Sequence, residues 1–202
     1  MPGAYVHLEG ENGSGKTSLL RCIARLHNNS TGVITYNSCD VNEFLNEYKQ
    51  IILYISDKEQ LNNEMTVYEI INFWANLYDA DMLLPAAAHT LHLIEYLNHS
   101  IKFLSRGLKK RVILSRLLLQ RARIWLLDEP FTNLDKNSIS ILNNIIETHI
   151  SNGGIAIVTN HIHYESKAIA DLENIGYKVN NNSQLEKQKI LLKMQDFKCE
   201  KN

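Results

Sequence analysis

Apolar positions along the chain follow two different periods. Residues 4–8 (AYVHL) form a short apolar run that gives way at once to a glycine-rich turn, and residues 18–26 then repeat apolar side chains at helical spacing, so this stretch reads strand, loop, helix. After a polar Asn/Ser/Thr/Gly region, residues 33–36 and 51–55 are β-branched or aromatic and predict two further strands, with a turn and a short helix in the acidic stretch between them. Thr66, with Glu69 three residues on, makes a capping-box signature before Val67, Ile70, Ile71, Phe73, Trp74 and Leu77, which predicts a helix start. From residue 66 to about 121 the period stays helical, as an inserted helical region. Residues 124–127 and 155–159 are continuous apolar runs of the kind that fill a parallel sheet buried on both faces, separated by the helical pattern of residues 139–150. The sum predicts an α/β fold: a mostly parallel sheet flanked by helices, with right-handed crossovers.

Composition narrows the possibilities. With 202 residues, 45% hydrophobic and 21% charged, the chain has the profile of one domain carrying at most a small satellite. A net charge of −1 supplies no basic field, so no nucleic-acid partner is expected. Cys22, Cys39 and Cys199 are odd in number and far apart, lack zinc-site spacing, and read as bystanders in a reducing cytosol. No run reaches the roughly 20 apolar residues that cross a bilayer, and the first residues lack the pattern of a signal peptide. The domain is expected to span residues 1–182, with the Lys/Gln/Glu-rich residues 183–202 as a polar tail, helical or frayed.

Two segments carry chemistry. Gly10, Glu11, Asn12, Gly13, Ser14, Gly15, Lys16 and Thr17 match GxxxxGK[ST] between an expected strand and an expected helix, the helix continuing through Ser18. In such a loop the glycines let successive backbone N–H groups turn inward toward phosphate oxygens, and the helix that follows adds its positive end. Lys16 is then placed to meet the β/γ-phosphates of ATP, and the Thr17 hydroxyl to ligate Mg²⁺. The second segment, residues 124–130 (IWLLDEP), is an apolar strand that ends in two carboxylates, at the strand end where such sheets bind ligands. Asp128 is suited to holding hydrated Mg²⁺ and Glu129 to polarising an attacking water as general base.

The phosphate loop, the segment Leu104-Ser105-Arg106-Gly107-Leu108 and the run LLDEPFTNLD follow one another in the order found in ATP-binding subunits of ABC transporters. Asp128 lies 23 residues beyond Ser105, a spacing also typical of them. The resemblance covers about residues 4 to 161 and implies a P-loop NTPase fold. It further implies that Ser105 and the Gly107 N–H touch the γ-phosphate bound on a second copy, so that two ATP molecules lie at a homodimer interface. Residues 133–135 resemble the D-loop that crosses this interface, and His161 occupies the place of the switch histidine. The stretches EMTVYEIINFWANLY, LSRGLKKRVILSRLLL, WLLDEPFTNLD and SNGGIAIVTNH look most like the ATPase subunit of the haem exporter of cytochrome c maturation. That likeness implies a polytopic membrane subunit as partner, haem handling for c-type cytochrome biogenesis as the task, and a peripheral place on the cytoplasmic side of the inner membrane. Trp74 reads as core, the alternative being a docking face for the membrane partner, and the exposure of Phe73 and Trp74 separates the two.

The chain also departs from the family pattern. Arg106 stands where the signature has Gly, and Leu108 where it has Gln. For the glutamine that links Mg²⁺ to the membrane partner, alignment puts Lys58 at the position and Gln60 two residues later, so Gln60 is the candidate. Gly10 follows only nine residues, so the usual antiparallel front strands and their adenine-stacking aromatic are expected to be missing, through truncation or a misplaced start. The altered signature keeps a second class open, a degenerate or soluble ABC-type nucleotide-binding protein, as well as an ABC ATPase subunit for another substrate.

Overall fold

The computed structural model describes residues 3–8, 13–27 and 33–159. Four parallel strands form the central sheet: β1 (Ala4–Leu8), β4 (Ile52–Ile55), β5 (Ile124–Asp128) and β6 (Ile155–Thr159), in the spatial order β1-β6-β5-β4. A separate antiparallel pair, β2 (Thr35–Tyr36) and β3 (Cys39–Asp40), follows the first helix. The four-residue strand expected over residues 33–36 ends at Tyr36 as expected, in a tight turn with Asn37 and Ser38 at positive φ, but starts only at Thr35, because its partner has just Cys39 and Asp40 to pair before the chain enters a 3₁₀ turn at Val41.

The sheet packs on both faces, and the alternation along each strand divides its apolar side chains between two cores. Leu53, Trp125 and Ala156 lie in register, as do Ile55, Leu127 and Val158, and all six belong to the larger core. Ile52, Ile124 and Ile155, with Leu126 and Ile157, face the opposite way into a smaller core. The smaller core is closed by α1 (Lys16–Ile23), through Leu20 and Ile23, and by α2 (Leu45–Gln50), through Tyr48, whose hydroxyl donates to the Ile23 carbonyl at 3.1 Å. Burial in this core pushes the Tyr48 phenol well above its ordinary range.

Between β4 and β5 the chain is helical: α3 (Val67–Leu77), α4 (Leu84–Thr90), α5 (Arg106–Leu114) and α6 (Arg116–Leu119). The start of α3 follows from its sequence. Thr66 Oγ1 accepts from the Glu69 N–H at 3.2 Å while Glu69 Oε2 accepts from the Thr66 N–H at 2.7 Å, the reciprocal capping box. Val67, Ile70, Ile71 and Ala75 turn inward at helical spacing. Trp74 packs against the same core, with the Arg116 guanidinium 5.6 Å from its ring centroid, whereas Phe73 next to it is 57% exposed. Of the two aromatics, then, Trp74 is core and Phe73 is not. The long helix α7 (Lys136–Ser151) connects β5 to β6 and covers the larger core with Leu142, Ile145 and Ile146.

Because all four strands run in one direction, the loops after β1 and β4 and the last residues of β5 and β6 share the carboxyl-end edge of the sheet. This edge is where the chemistry-bearing segments meet.

Candidate functional site

The first turn of α1 and the last residue of β5 are separated by more than a hundred residues of chain, yet Thr17 Oγ1 donates to Asp128 Oδ2 at 2.8 Å. The other carboxylate oxygen accepts from Thr159 Oγ1, also at 2.8 Å, and Thr159 Oγ1 in turn accepts from the Glu129 N–H at 2.9 Å. The register explains the second contact, since Asp128 and Thr159 are paired residues at the ends of adjacent strands. Asp128 is 4% exposed, so its two hydroxyl partners are what make burial of the carboxylate tolerable.

The phosphate-loop residues within the described chain are Gly13, Ser14, Gly15, Lys16 and Thr17; Gly10, Glu11 and Asn12 lie outside it. Gly13 and Gly15 have φ of +80° and +95°, the left-handed region in which a side chain is strained, and a Cβ at either would meet only open space. Backbone conformation, not crowding, therefore requires glycine there. Gly15 is also the residue before α1, so the loop delivers its N–H groups to the positive end of that helix. Lys16 is buried, at 8% exposed, and the buried Ser14 hydroxyl has no hydrogen-bond partner among the described residues. An unfilled hydroxyl and a buried ammonium beside two left-handed glycines form a donor-rich cradle that matches the oxygens of a polyphosphate. The Thr17 hydroxyl and the Asp128 carboxylate are hard oxygen donors, the kind Mg²⁺ takes while it keeps most of its waters. The residues present fit Mg-ATP.

Glu129 sits just past the strand, half-buried, with φ of +47°. For a residue other than glycine this conformation costs about 1–2 kcal/mol, so neighbouring contacts have to hold it. Its carbonyl accepts from Lys110 Nζ at 3.2 Å and lies 2.9 Å from Thr132 Oγ1, a hydroxyl that also lies 2.9 Å from Asp57 Oδ1. Lys110 is 5% exposed. Burial pushes its ammonium pKa down, and the carboxylates of Asp57, Glu59, Asp128 and Glu129 act against that.

The signature residues lie at the start of α5. Ser105 is its cap, accepting from the Leu108 N–H at 3.2 Å, and it is exposed together with Arg106. Gly107 is required by close approach: a Cβ there would come within 2.8 Å of the Asn133 carbonyl oxygen. The segment 104–108 thus touches the 132–135 turn of its own chain, where Asp135 caps α7 by accepting from the Ser138 N–H at 2.7 Å. That bond holds the Asp135 carboxyl below its ordinary range. Gln60 is exposed and no hydrogen bond ties it to this cluster among the described residues; the residue of that loop that does reach it is Asp57. Ser18 is exposed in the first turn of α1, and His161 lies outside the described residues.

Four participants were not singled out from the sequence: Asp57, Lys110, Thr132 and Thr159. Thr159 had a readable signal, being the last residue of an apolar strand expected in the same parallel sheet as the one that ends in Asp128. Lys110 and Asp57 had none, since a lysine on a helix and an aspartate in a loop look like solvated charges until packing buries or pairs them.

Comparison with known proteins identifies the family. Residues 1–132 match the family description of ABC transporters. The chain is 36% identical over 168 residues to the cytochrome c biogenesis ATP-binding export protein CcmA of Rickettsia conorii, covering 83% of this chain and 86% of that one. It is 38% identical over 174 residues to the protein of the same name from Rickettsia bellii, covering 85% and 87%. It is also similar to a solved ATP-binding subunit of an ABC transporter, with a TM-score of 0.69 and 26% identity, over 79% of this chain and 69% of that one.

Proposed function

Because this chain belongs to the ABC transporter family, as one of its ATP-binding ATPase subunits, we infer that it hydrolyses Mg-ATP to drive a separate polytopic membrane subunit in haem export for c-type cytochrome biogenesis. The observation that carries the reading is the hydrogen-bonded chain from Thr17 through Asp128 and Thr159 to Glu129, which joins the phosphate loop to the acidic strand end. The printed names of the relatives support the choice of task.

The residues divide the work as follows. Gly13, Ser14, Gly15 and Lys16, together with Gly10, Glu11, Asn12 and Ser18 of the same loop and helix, bind and orient the phosphates. Thr17 and Asp128 hold the metal, with Gln60 as a further candidate ligand. Bound Mg²⁺ would neutralise charge on the β- and γ-phosphates. Glu129 takes a proton from the attacking water, and His161 is assigned to sensing the γ-phosphate. Ser105 and the Gly107 N–H supply donors to the nucleotide of a second copy, so the working form is a homodimer with ATP between the copies.

Among the described residues no helix is long and apolar enough to cross a membrane; in this reading the spanning segments belong to the partner subunit. The exposed face of α3 suits such a partner: Phe73 and Leu77 stand out into solvent beside Met65, Glu69, Asn72 and Asn76, which line an open groove. The site of action is then peripheral, on the cytoplasmic side of the inner membrane. The test is copurification. A tagged chain expressed with its neighbouring genes should bring down a polytopic membrane protein, and phosphate release by that complex should require Mg²⁺ and ATP. A chain that hydrolyses no ATP under these conditions, or that never associates with a membrane protein, would reject the reading.

A further inference from the structure

The peptide that follows Asp128 is gripped at both ends. On one side the Glu129 N–H donates to Thr159 Oγ1 at 2.9 Å, which ties it to β6. On the other side the Glu129 carbonyl accepts from Lys110 Nζ at 3.2 Å, and Thr132 Oγ1 lies 2.9 Å away. Between these anchors the backbone holds φ of +47°, a conformation a glutamate does not keep unaided.

The choice of lysine for one anchor is informative. A neutral donor could satisfy a carbonyl, whereas a buried ammonium has to be compensated for its lost hydration. Here Lys110 is 5% exposed and the acceptor it reaches is a backbone oxygen, with the carboxylates of Asp57, Glu59, Asp128 and Glu129 close enough to act on its charge. Lys110 also belongs to α5, the helix that Ser105 caps, and five residues place it about one and a half turns further along the same rigid element. The helix whose start carries the signature therefore also carries the cation that holds the backbone of the general base.

We propose that Lys110, with Thr132, is a positioning residue for hydrolysis: the two clamp the Glu129 carbonyl and so fix the left-handed backbone from which the Glu129 carboxylate projects. The inference rests on the ATPase reading above. Neither residue touches the nucleotide in this scheme, so losing the clamp should slow the chemical step and leave ATP binding alone.

The experiment compares wild type, Lys110→Met, Lys110→Arg and Thr132→Val for steady-state Mg-ATP hydrolysis, nucleotide affinity and melting temperature. Lys110→Met should lower kcat about tenfold or more, with KM and the affinity for a non-hydrolysable ATP analogue within about twofold of wild type. Lys110→Arg keeps charge and donor and should return kcat to within about threefold of wild type. Thr132→Val removes the second donor from the same carbonyl and should lower kcat about threefold with KM unmoved. A merely structural Lys110 would lower the melting temperature and leave kcat per folded molecule unchanged, and that result overturns the proposal. If Lys110→Met does not fold, Thr132→Val decides, and a wild-type kcat in that variant likewise overturns it. Wild-type protein that releases no phosphate from Mg-ATP would bring down the ATPase reading and this inference together, whereas active wild type matched by both neutral variants removes the inference alone.

Discussion

At the scale of single residues, the site is divided between an acidic strand end and the phosphate loop that meets it. Asp128 has a hydroxyl on each oxygen, from Thr17 and from Thr159. Glu129, one residue on, is the group assigned to proton transfer. Glu129→Gln keeps the size of the side chain and removes its basicity. Single-turnover hydrolysis is expected to fall by about 10²–10⁴-fold, with nucleotide still bound. Rapid-quench measurement with radiolabelled ATP checks this, and a wild-type rate would remove Glu129 from the mechanism. Lys16→Ala acts on the other side of the division. Deleting the buried ammonium should weaken binding of a radiolabelled ATP analogue by roughly tenfold or more, about 1.4 kcal/mol, and lower hydrolysis with it. A thermal readout belongs to His149, which stacks on Trp125 at 3.6 Å between ring centroids and holds the Ile155 carbonyl at 3.3 Å. Burial lowers its pKa from 6.5, so between the lowered value and 6.5 the unfolded chain binds a proton that the folded chain refuses. Its share of stability is full above 6.5 and is lost as the pH falls through that value toward the folded one. His149→Phe should flatten that part of the acid limb in urea melts compared at pH 5 and pH 7.5.

At the scale of elements, local chemistry decides where pieces start, and long-range packing decides what they meet. The capping box of Thr66 and Glu69 is such a local device, and Thr66→Ala is expected to cost about 1 kcal/mol in denaturant melts without changing nucleotide affinity. Features of this kind were legible in the sequence. Residues 155–159 were predicted as a strand and form β6 with those limits; the carboxylates ending residues 124–128 were placed at a strand end, and Asp128 is there. The phosphate-loop pattern and the strand-end acids required only fixed spacing and strand direction to be recognised. The clamp on Glu129 could not be read, because Lys110 and Thr132 acquire their meaning from the approach of α5 to the turn after β5, a contact between segments about twenty residues apart with no common period. The same approach makes Gly107 necessary, since only the absence of a Cβ lets the Asn133 carbonyl lie where it does. The strand expected at residues 33–36 shrank for a related reason: β-branched composition marked the segment, while the two-residue partner strand, cut short by the 3₁₀ turn at Val41, set its length.

At the scale of the whole molecule, a single copy offers Ser105 as an exposed helix cap that makes no contact with its own phosphate loop among the described hydrogen bonds. Dimerisation is the expected use of that surface. Glu129→Gln protein with saturating Mg-ATP should double its mass in light scattering, and adding Arg106→Gly, which removes an exposed cation from the signature, should leave that dimer intact or strengthen it. Protein that stays monomeric in both backgrounds would reject the sandwich. The strand order has a further consequence, for how the molecule comes into being. β1 leaves the ribosome before the other three strands of its sheet, yet its neighbour is β6, and Ala4 pairs with Ile155. At translation speeds of roughly 5–20 residues per second, the opening strand waits about 8–30 s for its partner, while the helical region between can form its own local contacts. The nascent chain therefore carries an unpaired apolar segment beside the phosphate loop until residues 155–159 have been made. The sheet edge that joins Thr17, Asp128 and Thr159 is completed only when the strand bearing Thr159 slots between β1 and β5.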